Sequence, residues 1–318
     1  MTQILVLDQP AHGVPASEYA DALRERLPDA TVHLPETTDE TVELAAEAPI
    51  ITGTRLPETV LDAASELRLF ACAAAGYNHL PLDELEGRGV TVTNASGVHG
   101  PNIAEHVVGW LLVFARRLDE GIRRQRRREW RHFQGFGELG GSTVTVVGLG
   151  AIGRAVVERL EPFGVDTIGV RYTPEKGGPT DEVVGFDDIE SALVRTDYLV
   201  LACPLTETTR GLIDADALNA LPTDAVVVNV ARGGVIVTED LVDALRRNRI
   251  RGAGLDVTDP EPLPRDHPLW DFENVLLTPH VSGYTPHYWT RLADVLAANV
   301  ERIEETDSYE GLENQVLP

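Results

Sequence analysis

The stretch TVTVVGLGAIGRAVVERLEPFG, residues 143–164, decides the fold. A β-branched run (TVTVV) leads into Gly148-Leu149-Gly150-Ala151-Ile152-Gly153, and a helical pattern (RAVVERLEPFG) follows. This is G-x-G-x-x-G in the strand–turn–helix setting that gives the motif its physical meaning. Gly148 permits the tight turn, Gly150 lets the backbone approach a pyrophosphate, and Gly153 allows the helix to pack closely on the strand. The helix N-terminus then offers N–H groups and a positive dipole end to phosphate oxygens. Gly148, Leu149, Gly150, Ala151, Ile152 and Gly153 are therefore candidate dinucleotide-binding positions.

The end of the next strand should meet the adenosine ribose. An acid there accepts from the 2′-hydroxyl of NAD. Here TIGVR (167–171) ends in Arg171, followed by Tyr172 and Thr173, with Lys176, the only lysine of the chain, just beyond. A guanidinium at this point suits the dianionic 2′-phosphate of NADP. The expected cofactor is NADP(H), with NAD(H) usable.

Further strand-like runs follow the glycine turn: YLVLAC (198–203), AVVVNV (225–230), GAGLDV (252–257) and VLLTP (275–279). A first series precedes it: ILVLD (4–8), PIITG (49–53), LRLFACAA (67–74) and VTVTN (90–94). Strands alternating with helical stretches imply parallel sheets covered on both faces. The predicted class is α/β, with parallel sheets in two domains. A long helical stretch, about 102–128, separates the two series, and a final helix is expected over 286–305. Gly97–Pro101 and Gly283–Pro286 are the candidate hinges. If the last helix packs back on the first half, the substrate domain is discontinuous, 1–98 with 285–318, and the dinucleotide domain is 99–284.

Composition narrows the partners. The chain has 318 residues, enough for two domains of roughly 100–200 residues. Its net charge is −24, spread along the whole length, which disfavours nucleic acid and anionic membranes. Acid excess with lysine scarcity resembles proteins of salt-accumulating archaea, adapted to conditions where the Debye length falls to about 3 Å. Cys72 and Cys203 lie inside apolar runs and read as reduced core residues. The N-terminus MTQILVLDQP lacks a basic n-region, and the apolar run 107–115 is too short to span a bilayer. The expected compartment is the cytoplasm. No metal-ligand spacing is present.

Three polar residues stand where buried strands end: Arg232 after AVVVNVA, Glu261 in DVTDPEPLP, and His280 after VLLTP. Ligands of open α/β sheets bind outside the carboxyl ends of the strands, so such residues converge. The stretch PLTETTRGLIDADALNALPTDAVVVNVARGGVIVTEDLVDALRRNRIRGAGLDVTDPEPLPRDHPLWDFENVLLTPHVSGYT (204–285) resembles the D-isomer-specific 2-hydroxyacid dehydrogenase family. AAAGYNHLP (73–81), NASGVHGPNIAEH (94–106) and the glycine motif match its pattern too, so the resemblance covers most of the chain.

The resemblance implies two Rossmann-like or flavodoxin-like α/β domains with the active site in the cleft between them, and NAD(P)H-dependent interconversion of 2-keto and D-2-hydroxy acids, usually by a homodimer. It carries the catalytic trio onto Arg232, Glu261 and His280. Arg232 would hold the substrate carboxylate and keto oxygen, His280 would give and take the proton, and Glu261 would hold the imidazole and favour its charged form. Ala75, Gly76 and Tyr77 would cradle the carboxylate. Cys203, Pro204, Thr209 and Val230 would lie along the cofactor, and Asp256 would bind the nicotinamide carboxamide. His287, Tyr288 and Trp289 are expected to shape the substrate pocket or the interdomain contact. Eight arginines between Arg116 and Arg131 read as the charged face of a helix in the dimer and interdomain region. Two other readings share the motif set: a nucleotide-sensing corepressor, and a short phosphoglycerate dehydrogenase.

Overall fold

The computed structural model describes residues 2–317. It divides into two compact units, one running up to His99 and resuming at Tyr284, the other Gly100–Gly283.

The first unit holds strands β1 (Gln3–Val6), β2 (Thr31–His33), β3 (Ile50–Gly53), β4 (Leu69–Cys72) and β5 (Thr91–Thr93), joined by a terminal strand introduced below. The second holds β6 (Thr143–Val147), β7 (Asp166–Val170), β8 (Glu182–Val184), β9 (Tyr198–Leu201), β10 (Val226–Asn229), β11 (Gly252–Leu255) and β12 (Val275–Leu277). Strand β13 (Gln315–Leu317) returns to the first sheet and pairs antiparallel with β5. Every other strand pair is parallel. The first sheet runs β2-β1-β3-β4-β5-β13 and the second β8-β7-β6-β9-β10-β11-β12. These are the flavodoxin-like and dinucleotide-binding orders, whose switch points fall between β1 and β3 and between β6 and β9.

Both sheets are buried on two faces because their strands alternate between two apolar clusters. In the first, Ile4, Val6, Ile50 and Leu69 meet the helices Ala16–Arg26 and Tyr288–Thr306, while Leu5, Ile51, Phe70 and Cys72 meet the shorter helices. In the second, Val144, Val146, Val200 and Val228 pack beneath the helices Gly100–Ala115 and Ala151–Leu160. Val147, Leu199, Leu201 and Val227 face the helices Ala215–Ala220 and Thr238–Arg246. Period-2 alternation of this kind reads as a continuous apolar run in the sequence.

Three features depart from expectation. The helical stretch 102–128 is two helices, Gly100–Ala115 and Leu118–Arg127, because Arg117 takes a left-handed conformation (φ 53°). The second helix restarts with Asp119 and Glu120 in its first turn, where acids favour the dipole, and buried Asp119 pairs with Arg123 at 3.1 Å. Strands β2, β8 and β13, three residues each, carry too little pattern to stand out. Tyr288 and Trp289, expected at the pocket or domain contact, lie in the first unit's core, where Trp289 stacks on Tyr19 at 4.8 Å. Their bulk answers the apolar face of the last helix.

Candidate active site

The seven-stranded sheet delivers its functional side chains at one carboxyl edge. At the switch point, Gly148 has φ +97°, and a Cβ there would lie 2.7 Å from the Cys203 backbone. A Cβ on Gly153 would lie 1.9 Å from the Gly148 carbonyl oxygen, so the helix sits as close to the strand as the motif requires. A Cβ on Gly150 would meet nothing within 4 Å. Gly150 caps the helix Ala151–Leu160 without a side-chain hydrogen bond, which leaves its first amides aimed at open space. That cradle fits a pyrophosphate. The buried side chain of Leu149 fills the space over Gly169 and Gly178, so only its backbone is available to a ligand. Ala151 and Ile152 contribute the first helical turn.

At the end of β7, Arg171 donates from its backbone to Val184 and from Nη1 to the Gly177 carbonyl at 2.5 Å. The guanidinium is thereby folded over the turn Pro174–Lys176, with Thr173 at its start and Tyr172 exposed beside it. Along the middle of the edge, Cys203 is buried, and burial pushes its thiol up to about 11. The Thr209 hydroxyl donates to the Pro204 carbonyl at 2.5 Å and accepts from the Thr206 amide at 2.8 Å, so it shapes the 204–209 loop from inside. Pro204 is exposed on that loop, and Val230 is buried at the end of β10. Cys72 and Cys203 are both free and buried.

The far end of the edge is more densely bonded. His280 Nδ1 lies 2.7 Å from Glu261 Oε1. His280 has φ +55°, a left-handed conformation that costs a non-glycine residue about 1–2 kcal/mol. Asp256 sustains it. Oδ1 of Asp256 accepts from the Thr278 hydroxyl at 2.5 Å and the Val281 amide at 2.9 Å, and Oδ2 from the Ser282 amide at 3.0 Å and the Ser282 hydroxyl. The Asp256 carbonyl also accepts from the His280 amide at 2.8 Å. Burial raises the pKa of this carboxyl, but the donors from Ser282, Thr278 and Val281 outweigh it and hold it below the ordinary value. Four donors thus converge on its two oxygens. Asp256 organises the turn that presents His280.

Arg232 is exposed on the neighbouring strand end, with Nη1 donating to the Ala231 carbonyl at 2.6 Å. Its loop is pressed against the one leading to Glu261, since a Cβ on Gly233 would lie 2.0 Å from the Thr258 carbonyl oxygen. A cavity of about 460 Å³ adjoins the pair, lined by His280, Glu261, Trp270, Leu263 and Leu277 among others. In the first unit, Ala75 and Gly76 are exposed after β4. The carbonyls of this loop point inward: Ala73 accepts from the Tyr288 hydroxyl, Ala74 from the Ala95 amide at 3.1 Å, and Ala75 from Asn94 Nδ2 at 2.7 Å. Inward carbonyls leave the amides around Gly76 outward. Among the described residues, no group of three or more His, Cys, Asp or Glu side chains could hold a metal ion, and no helix is long and apolar enough to cross a membrane.

A family model described as D-isomer specific 2-hydroxyacid dehydrogenase, NAD binding domain, matches residues 108–282. The chain belongs to the D-isomer specific 2-hydroxyacid dehydrogenase family. Among its curated relatives, D-3-phosphoglycerate dehydrogenase of Methanocaldococcus jannaschii is 31% identical over 99% of the chain, which spans 60% of that relative's length. Glyoxylate reductase/hydroxypyruvate reductase of Mus musculus is 38% identical, with 77% of the chain and 76% of the relative covered. Among solved structures, the NADPH-dependent glyoxylate/hydroxypyruvate reductase of Sinorhizobium meliloti in complex with citrate superposes with a TM-score of 0.74 at 28% identity, covering 99% of this chain and 98% of the other. Sequence reasoning named Arg232, Glu261, His280 and the glycine turn but missed Thr278 and Ser282, whose hydroxyls reach Asp256. Their signal was only a hydroxyl on each side of a strand-end histidine.

Proposed function

We propose that this protein reduces small 2-keto acids to D-2-hydroxy acids and catalyses the reverse, with NADP(H) preferred and NAD(H) usable. The observation that carries the reading is the 2.7 Å contact between His280 Nδ1 and Glu261 at the carboxyl edge of a dinucleotide-binding sheet. Nicotinamide, when bound, supplies the hydride. His280 holds a proton on Nε2 and gives it to the keto oxygen, and Glu261 orients the ring through Nδ1. Arg232 binds the carboxylate and keto oxygen through its planar fork. Ala75, Gly76 and Tyr77 are assigned to binding the substrate carboxylate through their backbone amides. Residues 1–98 with 285–318 thus form the substrate domain, and 99–284 the dinucleotide domain. The two reductases named above, one of them NADPH-dependent, support the substrate class.

We assign the segment 116–136 to a homodimer interface. Trp130 is fully exposed there, with Leu118, Ile122 and Phe136 about half exposed, beside a cavity of about 760 Å³ that also carries Arg124, Arg128 and Arg131. Apolar surface among arginines, in a chain of net charge −24, suits an acidic second copy.

The deciding experiment is steady-state kinetics in high potassium chloride with glyoxylate, hydroxypyruvate, pyruvate and a phosphorylated 2-keto acid, each with NADPH and NADH. Turnover of the unphosphorylated acids supports the reading. Preference for the phosphorylated one would favour the phosphoglycerate dehydrogenase reading, which the methanogen relative motivates. Nucleotide binding without turnover of any acid would indicate a nucleotide-sensing protein instead.

A further inference from the structure

The helix Gly100–Ala115 lays one face along the ends of β11 and β12, and that face has a polar half the proposed chemistry does not use. Asn102, His106 and Trp110 are spaced four apart and so share a face. Trp110 covers Gly254, where a Cβ would lie 2.6 Å from its ring. Trp110 also meets the His106 ring edge-on at 4.2 Å. His106 Nε2 lies 3.3 Å from the Thr278 hydroxyl, and Asn102 Nδ2 donates to the Ser282 carbonyl at 2.8 Å. Thr278 and Ser282 are the residues whose hydroxyls reach Asp256 and bracket His280.

Proton accounting fixes the direction of these bonds. Asp256 is ionised and only accepts, so the single proton of the Thr278 hydroxyl goes to Oδ1. Only a lone pair of Thr278 is left to face His106, which must therefore carry its proton on Nε2. Burial lowers the pKa of His106, and the nearby Asp256 charge offsets this only in part. His106 is thus the neutral, Nε2-protonated tautomer that donates into the chain His106–Thr278–Asp256.

We propose that His106 is a positioning residue for the dehydrogenase reaction: through Thr278 and Asp256 it holds the 278–282 turn so that His280 keeps its left-handed backbone and its aim at Glu261. The proposal rests on the reading of His280 as the proton-transfer group. It requires no contact between His106 and substrate or nucleotide.

Two measurements test it. Long-range proton–nitrogen spectra of the whole protein labelled at its nine histidines, with His106 assigned by its loss in His106→Gln, should show a bare Nδ1 and a protonated Nε2 at neutral pH. The opposite tautomer, or a doubly protonated ring, would overturn the proposal whether or not the protein reduces keto acids. In kinetics, His106→Leu and Thr278→Val should each lower kcat about 10- to 100-fold, since a misplacement of about 1 Å costs up to about 10²-fold. KM for keto acid and nucleotide should change less than about threefold. His106→Gln, which restores an N–H donor, should regain most of kcat, and the Leu/Val double variant should be no worse than the weaker single. Wild-type kcat in His106→Leu, or a Gln variant as slow as the Leu variant, would sink the idea. Absence of any turnover in the wild type would instead sink the proposed activity and leave the tautomer measurement to decide this inference.

Discussion

The two ends of one sheet edge are built on different principles. At the adenosine end, the glycine turn offers bare amides, and Arg171 rests on a carbonyl in an exposed turn. At the catalytic end, one buried carboxylate gathers four donors and forces a histidine into a left-handed backbone. The first end selects by charge and shape, and its side chains sit lightly. The second, in the proposed function, positions the proton-transfer group His280 through a buried hydrogen-bond network.

The largest expected effect breaks the catalytic end alone. His280→Ala removes the proton donor, so turnover should fall by about 10²–10⁴-fold or more, with nucleotide affinity nearly unchanged. Stopped-flow turnover and fluorescence titration check the two halves of that statement. Near-normal keto-acid reduction by a correctly folded variant would falsify the assigned role.

A middle-sized effect exchanges the adenosine end alone. Arg171→Asp turns a group that attracts a 2′-phosphate into one that repels it and accepts from a 2′-hydroxyl. A charge-assisted contact of about 1.5–3 kcal/mol is about ten- to a hundredfold in affinity. The ratio of kcat/KM for NADPH and NADH should reverse, while kcat at saturating nucleotide stays within a few-fold. If the ratio stays where the wild type has it, Arg171 only holds the turn at Gly177.

The smallest effect comes from salt. Raising potassium chloride from about 0.1 to about 1 M shortens the Debye length from about 10 to about 3 Å. The contact between half-buried Arg171 and the phosphate should weaken, and the NADPH preference should narrow several-fold. The buried Asp256 network should not respond, so kcat at saturation should hold or rise as repulsion within the −24 chain is screened. Equal NADPH preference at both salt concentrations would place the selecting group somewhere less exposed than Arg171.

The sequence made the sheets legible because apolar runs such as AVVVNV and YLVLAC, set between helical stretches, have few other solutions. It made the glycine turn legible because Gly148 and Gly153 sit where backbone meets backbone, and no other residue fits. Short edge strands were not legible: Glu182–Val184 owes its strand state to pairing with β7 and little to its own residues. The break at Arg117 was hidden for a similar reason, since the residues on both sides of it are helical and only Arg117 itself turns left-handed. In the site, Arg232, Glu261 and His280 could be singled out because each lies in the segment that follows a strand. The support around Asp256 could not, because it joins residues from one helix and two strand ends that meet only after folding.

The turn Pro174–Lys176 carries the only lysine of the chain, and that side chain is exposed. Amine-selective reagents that scatter labels over most proteins will therefore find a single side chain here. Apart from any α-amine, a dye, a resin or a polymer coupled through an amide goes to one known place on the surface, next to Arg171. The haphazard chemistry of lysine becomes site-directed in this protein without engineering.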